Sequence, residues 1–294
     1  MDRIDGLLAG YQAFEDYIRT EISLCDFLRT KLRVRKTMML ALDEYASFIR
    51  PRGEAGLGRG GRQNAEIFLN LNPDRTYVRH DPDDWSTRRM PPSSGEMQHT
   101  LAEAGILLVL LRHADRIRIG CATGGLNSLC CTSREHVWKG ALYYPHMDMH
   151  RVAGGNSLQC SVTCSKYDVP GYAIDDMNQY SGFEGVETVQ AAAAVCPETG
   201  ELTVFILNAD LLEDQVLTLN LKGFEGLSFI EHTELYSDDP GACNTFEHPD
   251  TILPKINRDT VLDGGILTAR LHKASWNVFR LKTKTGRLRP SAGI

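Results

Sequence analysis

The sequence has no basic excess. Its 32 lysines and arginines are outnumbered by 38 aspartates and glutamates, for a formal net charge of -6. Nucleic-acid surfaces are basic, so no nucleic-acid partner is expected. No apolar run is long enough to span a bilayer, so no membrane partner is expected either. The start, Met1-Asp2-Arg3-Ile4-Asp5, lacks the charged-then-apolar pattern of a signal peptide. No C-x-x-C pair occurs among the eight cysteines. They are read as reduced thiols of a cytoplasmic protein, small buried hydrophobes and not a disulfide framework. What the chain does have is apolar content. At 42% hydrophobic over 294 residues, it can bury one large core or two medium ones.

One short stretch organises the rest. Thr37-Met38-Met39-Leu40-Ala41-Leu42 is an apolar run that stops at Asp43-Glu44, with Tyr45 and Phe48 beyond. Such a run reads as a strand buried on both faces, as in parallel sheets flanked by helices. In barrels of that type, functional side chains sit where strands end. Local pattern alone reads Asp43 and Glu44 first as solvated strand-end charges. Before this strand, Leu7, Tyr11, Phe14, Ile18, Ile22 and Cys25 recur at helical steps, predicting an amphipathic helix to about Thr30. The basic cluster Arg29 to Lys36 suits its C-terminus.

Residues 50 to 95 read as one long loop, and loops of that length are usually functional or disordered. Gly56-Leu57-Gly58-Arg59-Gly60-Gly61 formally matches G-x-G-x-x-G. A phosphate cradle needs a strand directly before it, and Pro51 with a polar stretch intervenes. Tyr77, His80 and Trp85 offer sugar-stacking and hydrogen-bonding groups, simple surface packing being the alternative. Ser93 and Glu96 form a capping-box signature, predicting a deeply packed helix through Leu111. Arg116 to Cys121 alternates as a second strand. Thr123-Gly124-Gly125 at its end permits close backbone approach to a ligand, or is a plain turn. His146 and His150 share a face of a short helix begun near Pro145 and ended at Gly154, with metal-capable spacing but no third ligand nearby.

From about Asn156 the pattern changes. Leu158 to Ser165, Glu187 to Val195, Glu201 to Asn208, Val216 to Leu221, Leu227 to Tyr236, Ile266 to Leu271 and Ser275 to Lys282 read as strands separated by turn chemistry. Regularly spaced short strands predict an antiparallel sandwich.

Four segments carry a family resemblance: Leu42-Asp43-Glu44-Tyr45, Leu110-Leu111-Arg112-His113-Ala114-Asp115-Arg116-Ile117, Tyr143-Tyr144-Pro145, and Leu202-Thr203-Val204-Phe205-Ile206-Leu207-Asn208. In order and spacing the chain resembles the C-terminal part of an α-L-arabinofuranosidase of the glycoside hydrolase 51 type. The resemblance implies an α/β part followed by an all-β part. Residues 1–155 would be an incomplete (β/α)8 TIM barrel, its last two strands and their helices. Residues 156–294 would be a C-terminal antiparallel β-sandwich. It implies release of terminal arabinofuranosyl units with retention of configuration and no cofactor. Glu44 matches the nucleophile at the end of barrel strand seven, and Asp43 precedes it as in the family. Tyr45 stands where Trp is common, on the expected sugar-facing wall. Trp85 and Thr123 join Asp43 and Tyr45 as expected substrate-binding residues, although Thr123-Gly124-Gly125 replaces a segment that often carries a sugar-binding Gln.

The resemblance also implies an absence. A retaining glycosidase needs two carboxyl groups about 5 Å apart, and the family's acid/base Glu belongs to strand four. Nothing before Asp43 reads as that strand, so the chain is expected to be truncated relative to the family. Its partners would be an arabinofuranosyl oligosaccharide and either a second copy or a complementing chain. The alternative is a non-catalytic fragment, a β-sandwich serving carbohydrate binding or assembly.

Overall fold

The computed structural model describes residues 4–45, 96–122, 129–132, 136–152, 155–173, 179–224 and 226–283. The helix expected at the start is present in two pieces, α1 (Ile4–Leu8) and α2 (Gly10–Lys31). Tyr11, Glu15 and Ile18, at steps of four and three, are its buried stripe. Arg29 and Lys31 occupy the last turn, where cations suit the helix dipole.

Strand β1 (Leu40–Tyr45) follows and pairs in parallel with β2 (Ile117–Ala122). Between them in sequence lies α3 (Met97–Arg112), buried through nearly all its length. The predicted capping box is displaced. Glu96 is the N-cap and not the third helical residue, while Ser93 lies outside the described residues. The first helical amides are met from a distant loop instead: Met97 N donates to the Ala242 carbonyl and Gln98 N to that of Pro240.

The expectation that β1 is buried on both faces is corrected. Leu40 and Leu42 pack with α2 and α3 residues, but Ala41, Asp43 and Glu44 are exposed. On β2, Arg118 through Cys121 are exposed as well. The helices cover one face of this sheet, and among the described residues the sheet has only these two strands.

After β2 come a small hairpin, β3 (Cys130–Thr132) with β4 (Val137–Lys139), and helix α4 (Tyr143–His150). Strand β5 (Asn156–Leu158) then joins a six-stranded sheet through β8 (Val189–Val195). The strand expected from Leu158 to Ser165 is not there: β5 lies ahead of it and overlaps it only at Leu158, and residues 159–165 are not strand. Next is a hairpin that sequence reading missed, β6 (Lys166–Ala173) with β7 (Gln179–Glu187). Pro170 and Gly171 hid it, since both residues argue against a strand interior. Strands β9 (Glu201–Asn208), β10 (Gln215–Asn220) and β11 (Leu227–Tyr236) lie close to expectation. So do β14 (Ile266–Leu271) and β15 (Ser275–Thr283), preceded by the short β12 (Lys255–Ile256) and β13 (Val261–Asp263).

The large sheet runs β12-β11-β15-β9-β8-β5, and a three-stranded sheet runs β10-β14-β13. Alternate residues of β8, β9 and β15 face different partners. Ala191, Ala193, Val204, Ile206 and Phe279 pack with Leu267, Ala269 and Leu271 of the small sheet. Ala192, Phe205, Leu207, Trp276 and Val278 pack with Met97, Leu101, Ala104 and Leu108 of α3. The central strands are thus buried on both faces, by a sheet on one side and by α3 on the other. Small residues make this possible. A Cβ at Gly105 of α3 would come within 3.2 Å of Tyr11 Cβ and 3.5 Å of Leu207 Cδ2.

A charged cluster ties α2 and α3 to the sheet. Glu15 receives Arg112 Nη2 at 2.8 Å and lies 2.6 Å from His113 Nε2, and Arg112 also donates to the Ala191 carbonyl. Burial alone would raise the Glu15 carboxyl, but the His113 hydrogen bond and the Arg112 charge outweigh it and bring it to about 2. A lowered folded value means the stabilisation is full above pH about 4.5 and is lost as pH falls toward 2. Glu15→Gln is therefore expected to cost about 2 kcal/mol at pH 7. The gap to wild type should close in urea melts repeated at successively lower pH. A gap independent of pH would contradict the assignment.

Candidate active site

The site is built at the C-terminal end of β1. Leu42 pairs with Gly120 and Tyr45 with Ala122, so three steps on β1 match two on β2. The extra residue is a β-bulge at Asp43-Glu44. A bulge interrupts the strand's alternation and re-aims side chains. Here Leu40, Leu42 and Tyr45 all take the helix-facing side, while Asp43 and Glu44 are both exposed. Without the extra residue, Glu44 would share a face with Leu40 and Leu42.

Tyr45 is 8% exposed and packs with Ile106 and Leu107. The resemblance set it on a sugar-facing wall; in the structure the bulge turns it inward, away from the surface that carries Asp43 and Glu44. Its hydroxyl lies 3.2 Å from His146 Nε2, with the two rings parallel. His146 Nδ1 lies 3.1 Å from the Leu142 carbonyl, and Glu103 Oε1 lies 3.6 Å from Nε2. Burial, then the Glu103 charge, raises the Tyr45 hydroxyl above its ordinary value. Burial lowers His146, opposed by its bond to Leu142.

Of the other expected site residues, Trp85 and Thr123 lie outside the described residues, as do the G-x-G-x-x-G stretch, Tyr77 and His80. The His146 and His150 pair is divided, His146 turned inward and His150 exposed. Among the described residues there is no group of three metal-ligating side chains, and no helix is long and apolar enough to cross a membrane. Sequence reading missed Glu103. Its signal was available: one carboxylate within the otherwise apolar run Leu101-Ala102-Glu103-Ala104-Gly105-Ile106.

Asp148 of α4 accepts from Trp276 Nε1 at 3.0 Å. Burial pushes its carboxyl up to about 6, against the Trp276 hydrogen bond and the nearby Arg151 charge. A raised folded value works in the opposite sense to Glu15. The contribution is full below pH about 4 and is lost as pH rises through 6. Asp148→Asn keeps an acceptor for the indole, so it is expected to match wild type in thermal melts at pH 4 and to exceed it at pH 7.5. A variant less stable at the higher pH would refute this.

Residues 81–275 match the family described as the α-L-arabinofuranosidase C-terminal domain. The chain belongs to that family. A relative from Halalkalibacterium halodurans, an intracellular exo-α-(1→5)-L-arabinofuranosidase, is 28% identical over 289 residues, covering 96% of this chain and 50% of the relative. Another of that description from Bacillus subtilis is 26% identical over 289 residues, covering 97% and 50%. Among solved structures, a family 51 α-L-arabinofuranosidase from Bifidobacterium longum is similar with a TM-score of 0.68 at 18% identity, covering 95% of this chain and 51% of that one. The arabinose complex of the Thermotoga maritima α-L-arabinofuranosidase gives a TM-score of 0.68 at 14% identity, covering 96% and 50%. At such identities the likeness shows a shared fold. This arabinofuranosidase-family chain spans about half the length of each of these relatives.

Proposed function

We propose that the chain supplies the nucleophile half of a retaining arabinofuranosidase site, with Glu44 as the nucleophile. The observation that carries this reading is the bulge that exposes Asp43-Glu44 at the C-terminal end of a parallel strand, in a chain of the arabinofuranosidase family. That end of a strand is where parallel α/β barrels place their chemistry. On this reading residues 1–155 are the closing portion of a (β/α)8 barrel and residues 156–294 the β-sandwich, in a cytoplasmic enzyme. Ionised Glu44 attacks the anomeric carbon of a terminal arabinofuranosyl unit as the glycosidic C–O bond breaks, forming a glycosyl ester. A second carboxyl group protonates the leaving oxygen. The same group, now ionised, takes a proton from water, which attacks the anomeric carbon and frees Glu44 and arabinose. Asp43 borders the substrate beside Glu44.

The second carboxyl is assigned to polypeptide equivalent to the half of the relatives that this chain does not span. Exposed apolar groups support a docking face for it. Tyr17, Leu24, Phe27 and Leu28 of α2, Met38, and Ile119 of β2 are each at least half exposed. Tyr17, Leu24 and Leu28, at steps of seven and four, share one face of α2, and an exposed apolar face marks an interaction site.

The test is hydrolysis of an aryl arabinofuranoside by the purified chain, alone and fused to the remaining half of the Halalkalibacterium halodurans relative. Negligible turnover alone and turnover by the fusion are expected. Turnover by the chain alone, abolished in Glu44→Gln, would overturn the need for the second half. An inactive fusion that sediments as a folded monomer would overturn the hydrolase reading.

A further inference from the structure

Helix α3 is apolar along its buried length except for a few groups, and Glu103, 4% exposed, is its one buried carboxylate. It lies beside the two rings that anchor the bulge. A carbonyl only accepts, so His146 Nδ1 donates its proton to Leu142 O. Burial keeps the ring neutral, which leaves Nε2 as a lone pair. The Tyr45 hydroxyl at 3.2 Å is then the donor. The Leu142 carbonyl fixes the tautomer, and the neutrality of the buried ring fixes the direction of the Tyr45 bond.

The consequence reaches the strand. Glu44 and Tyr45 are neighbours across a bulge, and such a strand has two phases. In one, Tyr45 is inward and Glu44 outward. A one-residue slip reverses them. Ring packing on Ile106 and Leu107 favours the first phase for any large apolar side chain. The hydroxyl–imidazole bond favours it for tyrosine specifically.

We propose that His146, with Glu103 at its Nε2 edge, is a positioning residue that locks Tyr45 inward and thereby aims Glu44 at the substrate face. The proposal rests on the reading of Glu44 as the nucleophile, but its primary test needs no turnover. In the ¹⁵N spectrum of the full chain, His146 should show a protonated Nδ1 and a bare, hydrogen-bonded Nε2. Tyr45→Phe should move the Nε2 resonance toward the value of an unbonded lone pair. Amide exchange at Glu44 and Tyr45 should quicken about tenfold in Tyr45→Phe and in His146→Phe, the loss of one buried hydrogen bond. His146→Gln, which retains an acceptor, should restore exchange to within about twofold of wild type. Exchange in β9 reports whether each variant remains folded.

A protonated Nε2, or bulge exchange unchanged in His146→Phe with β9 intact, overturns the proposal. Where the fusion turns over substrate, His146→Phe should lower kcat with KM little changed and His146→Gln should recover it. An inactive fusion with the expected spectra would leave the positioning intact and remove the hydrolase reading alone.

Discussion

Glu44→Gln, in the fusion that restores the second carboxyl, is expected to lower turnover of an aryl arabinofuranoside by at least about 10³-fold, the scale seen when a group acting directly on the reacting atoms is removed. Gln matches Glu in size but cannot form the glycosyl ester. The loss should therefore fall on kcat and on kcat/KM together. Stability should not change, because Glu44 is exposed and surface substitutions fall within about 0.5 kcal/mol. The rival is close at hand. The bulge exposes Asp43 as well, and a carboxylate one residue away is also a nucleophile. Asp43→Asn separates the two, since a substrate contact is expected to cost far less than the attacking group. A larger loss in Asp43→Asn than in Glu44→Gln, with equal melting temperatures, would exchange their roles.

The largest stability effect is expected at Trp276. It is 1% exposed, stacks on Phe205 at 5.7 Å between centroids, and donates its indole N–H to Asp148. Trp276→Ala removes the biggest side chain from the core shared by β9, β15 and α3, a change that costs about 3 to 5 kcal/mol. It also leaves a buried carboxyl without its donor, which costs further. For a unit of this size, thermal melts should fall by roughly 10 °C or more. Trp276→Phe apportions the effect: it keeps most of the packing and drops only the N–H. Its deficit should shrink below pH 4, where Asp148 is protonated on both sides of the folding equilibrium. If Trp276→Ala melts within a degree or two of wild type, the core assignment is wrong.

Much of this was legible in the chain because the responsible forces are local. The stripe through Tyr11, Phe14, Ile18 and Ile22 is helical in period, although the buried Glu15 was no part of it, and β9 carries the unbroken apolar run Val204-Phe205-Ile206-Leu207 of a strand covered on both faces. The existence of β1 was equally plain, although it runs through Asp43-Glu44 to Tyr45 and does not stop at them. The bulge was not, because it exists only relative to β2, 78 residues further on by the pairing of Leu42 with Gly120. The misplaced cap at Glu96 has the same origin: its acceptors are Pro240 and Ala242. The β6–β7 hairpin contradicted its own propensities at Pro170. Glu103 and His146 were visible singly but became a unit only when α3 and α4 met behind β1.

The double burial of β8, β9 and β15 bears on how such a chain could be divided or recombined in evolution. A gene cut at residue 156 would seem to release a β-sandwich for use elsewhere. It would in fact strip α3 from the large sheet and bare Ala192, Phe205, Leu207, Trp276 and Val278 at once. The helix that follows β1 in sequence is also a wall of the sandwich. Neither part can be exchanged for a foreign counterpart unless that wall travels with it. An excised sandwich that keeps its solubility should be one whose boundary lies before Met97.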